Sequence, residues 1–100
     1  MEIKHISSAG TLESSDCMVT VSPSDAGELK IEIESIVMTT FGGQIRAAVE
    51  DVLRSFDVSS AEVSVIDKGA IDCVIRARTT TAVCRAAEVK FNWEGLDSNG

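Results

Sequence analysis

The side chains that most often perform chemistry in enzymes are scarce in this 100-residue sequence. His5 is its single histidine, tyrosine is absent, and the three cysteines (Cys17, Cys73 and Cys84) are far apart. A cysteine nucleophile needs a neighbouring base, and the one imidazole, on His5, is expected to be solvated. Because no two cysteines form a CxxC pair, a structural zinc site is not expected. The sequence predicts buried, reduced thiols, no metal site and no catalytic residue of the chain's own.

One serine-containing segment could receive chemistry that another protein performs. Ser14 stands between Glu13 and the pair Ser15-Asp16, ahead of the first regular strand pattern. An isolated serine hydroxyl cannot act as a nucleophile without an adjacent base, but an exposed hydroxyl can accept a group that a transferase adds. On pattern alone, the favoured interpretation is a polar turn that Asp16 caps.

A second polar segment lies in the C-terminal half of the chain. Asp67, Lys68 and Gly69 begin a turn in which the glycine can adopt a positive φ. The alternation that follows predicts a strand with Arg76 and Arg78 two residues apart on its polar face. These five residues are candidate contacts with an anion or a partner protein, and a solvated sheet surface is an equally good interpretation of the two arginines.

The spacing of apolar residues predicts the elements that would position these segments. Alternation predicts four strands, and i, i+4, i+7 spacing predicts a long helix before the third strand. Thr79 or Thr80 would cap a short final helix that ends at Ala87. The strands are centred on Cys17/Val19/Val21, Leu29/Ile31/Ile33, Ala61/Val63/Val65 and Ile71/Cys73/Ile75/Ala77, and the long helix runs from Phe41, or from Ser35, to Phe56.

This layout predicts a single α+β domain with ββαββα order. Its four-stranded sheet would be mainly antiparallel, with the first two strands forming a hairpin and both helices on one face. Residues 1–16 are predicted to be a flexible arm, residues 17–90 the folded domain, and residues 91–100 a tail whose Phe91 and Trp93 could fold back. Gly42-Gly43 lacks the spacing of a phosphate-binding loop, and either lies inside one continuous helix or breaks it.

Composition and charge exclude several classes of function. The chain has 9 basic and 16 acidic residues, a formal net charge of −7, so it repels nucleic-acid phosphates and anionic lipid. Neither a signal peptide nor an apolar run long enough for a membrane helix is expected. These features predict a cytoplasmic protein with no nucleic-acid or membrane partner, whose acidic surface docks on basic proteins. At this length the core is modest, and no deep substrate cavity is expected.

Two stretches of the sequence resemble the signature motifs of a known family. Residues 9–16 (AGTLESSD) are similar to the N-terminal motif of the citrate lyase acyl carrier proteins, the gamma subunits of that complex, and residues 67–78 (DKGAIDCVIRAR) to their second motif. Further similar positions extend the resemblance over nearly the whole chain: Phe41-Gly42, Ile45-Arg46, Asp51-Val52-Leu53 and Trp93-Glu94. Two motifs at the right separation make the resemblance specific.

The resemblance implies a carrier rather than a catalyst. It implies that Ser14 bears 2'-(5''-phosphoribosyl)-3'-dephospho-CoA through a phosphodiester, with Glu13, Ser15 and Asp16 as flanking residues for recognition. The thiol of this group would hold acetyl, exchange it for citryl, and regain acetyl when oxaloacetate leaves. The implied partners are the citrate lyase alpha subunit for acyl exchange, the beta subunit for cleavage, a prosthetic-group transferase and an acetylating ligase.

Two positions depart from the family pattern. Ser15 stands where members often have glycine, which leaves a second candidate hydroxyl beside the preferred Ser14. Thr80 stands where members tend to have an acidic residue, so a carboxylate contact with a partner at that position is not carried over. The alternatives to a citrate lyase carrier are the carrier subunit of malonate decarboxylase, which uses a related prosthetic group, and a non-enzymatic α+β interaction module.

Overall fold

The structure is a computed structural model that describes residues 1–90. The predicted tail, with Phe91 and Trp93, lies outside the described residues. Six elements follow one another along the described chain: strands β1 (Ser7–Gly10), β2 (Cys17–Ser22) and β3 (Leu29–Ser35), helix α1 (Met38–Ser55), strand β4 (Ala61–Asp67) and helix α2 (Asp72–Ala86). Within residues 1–90, neither helix is long and apolar enough to cross a membrane.

The four strands form one mixed sheet in the order β1-β2-β4-β3. The β1/β2 and β2/β4 pairs are antiparallel, whereas β3 and β4 are parallel and α1 connects them. The prediction of a four-stranded α+β domain is therefore confirmed, but the prediction of a mainly antiparallel sheet is wrong, because β3 and β4 pair in parallel. The hairpin predicted between the strands here called β2 and β3 is wrong, because β4 lies between them. Parallel neighbours need a long crossover connection, and α1 supplies it.

The core lies between one face of the sheet and the two helices, as predicted. Every second residue of β2 and β4 is buried, and these side chains pack against the apolar face of α1 and one face of α2. The opposite face of the sheet is polar, and on it the hydroxyls of Ser8 and Thr20 are hydrogen-bonded across β1 and β2 at 2.8 Å. The period of 2 along a strand separates a buried from a solvated face in this way.

Residues 72–77 form the first part of α2 and Ile71 precedes it, so the strand predicted at 71–77 is wrong. Ile71, Ile75, Thr79 and Val83 recur every four residues along this segment, and Ile75, Thr79 and Val83 are buried. Over seven residues an alternating pattern and a helical pattern share positions 71 and 75, so periodicity alone does not separate them. The element order is βββαβα, and the helix predicted to begin at Thr79 or Thr80 begins at Asp72.

The first ten residues also belong to the fold rather than to an irregular arm. Ile3 is 5% exposed and lies in the core, and the Lys4 amide donates to the Ala86 carbonyl at 2.9 Å. β1 pairs with β2 from Ser7↔Val21 to Gly10↔Met18. The sequence of β1, Ser-Ser-Ala-Gly, has low strand propensity; its strand conformation comes from pairing with β2, a contact distant in sequence.

Helix α1 continues through both Gly42 and Gly43, so the glycine pair does not break it. Gly42 is buried, and a Cβ built there would lie 2.8 Å from the side-chain sulfur of Met38. Because Gly42 has no side chain, the side chain of Met38, which lies one helical turn earlier in the sequence, can pack against the helix at position 42. Gly43 has open space around it, and its cost in helix propensity is of the order of 1 kcal/mol.

Candidate functional site

Residues 11–16 form the connection between β1 and β2, and the Asp16 carboxylate holds this loop closed. Its Oδ2 accepts a hydrogen bond from the Thr11 hydroxyl at 2.7 Å, and its Oδ1 accepts one from the Cys17 amide at 2.7 Å. The Thr11 amide donates to the Cys17 carbonyl at 3.2 Å, and the Asp16 amide donates to the Glu13 carbonyl at 3.2 Å. The loop is therefore a compact hydrogen-bonded turn.

Arg78 of α2 fastens the same carboxylate to the body of the protein. Its Nε and terminal nitrogen donate to the two Asp16 oxygens at 3.1 and 2.9 Å. These bonds, together with the bond from Thr11, lower the pKa of Asp16 to about 2. The Asp16 side chain is 14% exposed and the Arg78 side chain 40% exposed, so the carboxylate is partly buried while the guanidinium remains in contact with water. A bidentate arginine–carboxylate contact fixes orientation as well as charge, and here it joins the loop to α2.

A second attachment runs from the loop to the end of β4. The Ser15 amide donates to the Lys68 carbonyl at 2.8 Å, and the Lys68 amide donates to the Asp16 carbonyl at 2.9 Å. Ser15 and Asp16 thus both lie opposite Lys68, as in a β-bulge, directly beyond the Cys17↔Asp67 pair that ends the β2/β4 ladder. The two sequence motifs are thus brought together by backbone hydrogen bonds and by the Asp16–Arg78 pair.

The two candidate serines differ in backbone conformation on this loop. Both are exposed, and within residues 1–90 no group hydrogen-bonds to either side-chain hydroxyl. Ser15 has a φ of 67°, the left-handed conformation that glycine adopts without strain. A backbone position of this kind explains why glycine suits position 15. Ser15 turns the chain, and Ser14 is the exposed hydroxyl before the turn.

Asp67 has a structural role at the site, because its side chain is buried and cannot contact a partner. It is 1% exposed, and its carboxylate accepts hydrogen bonds from the Ser35 hydroxyl at 2.7 Å and from the amides of Gly69 and Ala70 at 3.2 and 2.9 Å. Gly69 has a φ of +94°, so it supplies the tight turn that the sequence predicted. Asp67 therefore fixes the path of the chain from β4 into α2.

Arg76 does not join Arg78, so the prediction that they share one face is wrong. Side chains two residues apart on a helix point in nearly opposite directions. Arg76 donates to Asp72 at 2.6 Å and to Asp51 of α1 at 3.1 Å; it links the two helices, while Arg78 reaches the serine loop. Thr80, at the position where the family tends to be acidic, is 8% exposed and donates to the Arg76 carbonyl at 2.8 Å.

The cysteines divide into two buried thiols and one exposed thiol. Burial, reinforced by the nearby carboxylate of Asp16, raises the pKa of Cys17 to about 11, and burial also raises the pKa of Cys84. Both are therefore protonated core thiols at neutral pH. Cys73 in the first turn of α2 is exposed, so the prediction of a buried thiol is wrong there. No group of potential metal ligands occurs within residues 1–90.

An apolar cleft beside the loop was not foreseen from the sequence. Its volume is about 340 Å³, and it lies between the start of α1 and the turn that leads from β4 into α2. Phe41, Gln44 and Ile45 form one wall, and Ala70, Ile71 and Ile75 form the other. These residues come from two distant segments, and no local sequence signal joins them. Their alignment depends on the parallel pairing of β3 with β4.

Comparisons with known proteins find relatives of this chain over nearly its whole length. The family model described as malonate decarboxylase delta subunit (MdcD) matches residues 4–86. The chain is 50% identical over 99 residues to a citrate lyase acyl carrier protein of Streptococcus mutans serotype c, covering 98% of this chain and 97% of that relative. It is 46% identical over 98 residues to one of Latilactobacillus sakei, covering 97% and 96%.

A solved structure shares the fold. It is a crystal structure of a Pseudomonas malonate decarboxylase hetero-tetramer in complex with malonate, of which one chain matches with a TM-score of 0.70 and 21% identity, covering 84% of this chain and 86% of that one. The family model and the relatives at 46–50% identity over nearly the whole chain show the family. The chain belongs to the family of citrate lyase acyl carrier proteins.

Proposed function

We propose that this protein is the acyl carrier subunit of a citrate lyase complex and that Ser14 is its attachment residue. The observation that carries the proposal is the Ser14 hydroxyl, exposed and without a hydrogen-bond partner in residues 1–90, on a loop fastened at both Asp16 and Ser15. A carrier needs an attachment atom that a transferase can reach and a body that holds this atom in a defined place. The relatives at 46–50% identity support the same role.

The residues present fit the prosthetic group that the family resemblance implies, 2'-(5''-phosphoribosyl)-3'-dephospho-CoA. A free serine hydroxyl is the atom that a phosphodiester requires, and Lys68, whose backbone faces Ser15, has no carboxylate partner within residues 1–90. Its ammonium is available to the phosphodiester anion. When bound, the group supplies a thiol that carries acetyl and citryl as thioesters. Glu13, Ser15 and Asp16 shape the loop that the transferase recognises.

The chain itself positions the acyl group and catalyses no step. Two of its three thiols, Cys17 and Cys84, are buried with raised pKa values, and the exposed Cys73 has no hydrogen bond to a base within residues 1–90. The alpha subunit would exchange acetyl for citryl, and the beta subunit would release oxaloacetate and leave acetyl on the carrier. Holding the thioester on a tether gives it a high effective concentration at both sites in turn. A transferase and an acetylating ligase would prepare the carrier.

The direct test is intact mass spectrometry of the chain co-expressed with the modifying enzymes. The parent protein is expected to gain the mass of the prosthetic group, mapped to residues 11–16, and Ser14→Ala is expected to gain none. Ser15→Ala is the matched control, since it removes the neighbouring hydroxyl and should be modified fully. Full modification of Ser14→Ala, or an unmodified parent under these conditions, would overturn the assignment.

A carrier subunit of malonate decarboxylase is the second candidate, and two observations favour it. The matching family model carries that subunit's description, and the structural neighbour comes from a malonate decarboxylase. Reconstitution separates the two candidates. The modified carrier with citrate lyase partner subunits should convert citrate and leave malonate unchanged; turnover of malonate with malonate decarboxylase partners alone would favour the second candidate.

A non-enzymatic interaction module is the third candidate and needs a different experiment from simple truncation. Deletion of residues 1–15 would remove β1 and the core residue Ile3, so loss of activity could reflect unfolding. Ser14→Ala leaves the fold intact because its side chain is exposed. A carrier loses complex activity entirely with this substitution, whereas an interaction module keeps it.

A further inference from the structure

The cleft described above is an apolar feature of residues 1–90 that the proposed function leaves unused. Phe41 is 45% exposed and Ile71 is 66% exposed on its two sides. Gln44 adds an amide that can both donate and accept hydrogen bonds. An apolar cleft with an aromatic ring and few polar groups is the usual composition of a small-molecule site, and about 340 Å³ lies at the lower end of the range for such sites.

The cleft and the attachment serine lie at the same end of the sheet. Cys17 of β2, Asp67 of β4 and Ser35 of β3 are in register across the sheet. The serine loop precedes Cys17, and the cleft begins after Ser35 and Asp67. The two are thus separated by about two strand spacings, roughly 10 Å. The Ser15–Lys68 and Asp67–Ala70 hydrogen bonds hold the loop and the cleft wall at this separation.

We infer that the cleft binds the adenosine portion of the group attached to Ser14; this inference rests on the proposed function. Between the serine and the adenosine stand one phosphate and one ribose, and the adenosine's own ribose then carries the purine; this length is enough to span the separation of loop and cleft. The ring of Phe41 offers a face for stacking, the side chain of Ile71 covers the purine from the opposite wall, and Gln44 pairs with its polar edge. Stacking of a base on an aromatic side chain is worth about 1–3 kcal/mol in other proteins.

Binding of the nucleoside has a consequence for the moving part of the carrier. With the adenosine held against the body, the diphosphate and the pantetheine thiol beyond it form the swinging segment. A shorter free tether samples a smaller volume, so the effective concentration of its thioester at a docked partner is higher. The cleft also explains why a nucleotide-containing arm, rather than phosphopantetheine alone, suits this fold.

The test compares methyl and aromatic NMR shifts of the chain before and after modification, with the adduct verified by intact mass. We expect the largest changes at Ile45, Ala70, Ile71 and Ile75, while Ile6, exposed and outside the cleft, stays unchanged. In Phe41→Ala these changes should be lost although the adduct remains. Ile71→Ser, at an exposed position, provides a second variant that does not disturb the core, and Leu29→Ala is the matched control at an exposed apolar site elsewhere.

The outcomes separate the two proposals. An adduct whose shifts are confined to residues 11–16, or cleft shifts that survive both Phe41→Ala and Ile71→Ser, overturns the cleft inference and leaves the carrier function intact. Cleft shifts that arise only when a partner subunit is added overturn it in favour of a protein interface. If no adduct forms on the parent chain, the proposed function fails first, and the cleft inference fails with it.

Discussion

At the scale of single residues, Asp16 accepts several of the hydrogen bonds that fix the shape of the serine loop. It accepts hydrogen bonds from Thr11, Cys17 and Arg78, and its pKa is lowered from 3.8 to about 2. A carboxylate with a lowered folded-state pKa stabilises the fold above its unfolded-state value, and this stabilisation is lost as the pH falls through the folded-state value. The contribution of Asp16 is therefore fully present above about pH 4 and disappears by about pH 2.

Asp16→Asn should lower the free energy of unfolding at pH 7 by about 1–3 kcal/mol, since hydrogen bonds to a charged group are lost. The difference between parent and variant should shrink as the pH falls from about 4 to about 2. Urea unfolding at a series of pH values measures it. Asp25→Asn, at an exposed loop residue, is the control and should show no such difference. A gap between parent and Asp16→Asn that stays constant down to pH 2 contradicts this account.

Ser15 supplies a second residue-scale prediction through its φ of 67°. Left-handed backbone costs an L-residue roughly 1–2 kcal/mol and a β-branched residue more. Ser15→Gly should therefore be at least as stable as the parent, and Ser15→Val should be less stable than Ser15→Gly by more than about 1 kcal/mol. Both variants keep Ser14 and are expected to accept the prosthetic group if the loop keeps its shape. Equal unfolding midpoints for the two variants would contradict the assigned conformation.

At the scale of elements, local patterns predicted α1, β2, β3 and β4, while long-range pairing decided the rest. The amphipathic period from Phe41 to Phe56 identifies α1 because it is long enough to exclude alternation. Residues 71–77 are too short for that distinction, and β1 has almost no strand propensity of its own. The motif resemblance predicted Ser14 as the attachment residue, and the second motif includes Arg78. It did not identify the partner of Arg78, because Asp16 lies 62 residues away in the sequence.

Gly10 is the last residue of β1, and its backbone lies close to that of Cys17 in β2. Substitutions of this glycine therefore test the packing of β1 against β2. Its φ is +101°, and a Cβ built on it would lie 1.8 Å from the Cys17 carbonyl oxygen. Gly27 also has a positive φ, +71°, but nothing lies within 4 Å of its added Cβ. Gly10→Ala should thus lose at least about 2 kcal/mol more unfolding free energy than Gly27→Ala. Similar losses in urea unfolding for the two variants would show that the close approach at Gly10 is absent.

At the scale of the whole molecule, a modest core and an external attachment site are compatible. A chain of this size supports one buried layer between sheet and helices, and the proposed site lies at one end of that layer. There, the Ser14 loop, the Asp67 turn and the apolar cleft meet at the ends of β2, β3 and β4. The rest of the surface is free to carry the net charge of −7.

That charge predicts how the carrier meets its partner subunits. If acidic groups steer it towards basic surfaces, the association rate should fall at least about tenfold as salt rises from about 0.05 to 0.5 M, because the Debye length shortens. The dissociation rate should change little. Replacing the exposed Glu28, Glu34 and Glu62 with glutamine reduces the net charge from −7 to −4, and should weaken the salt dependence. Stopped-flow binding to the isolated partner subunits measures both rates; an association rate independent of salt would show that the net charge does not steer docking.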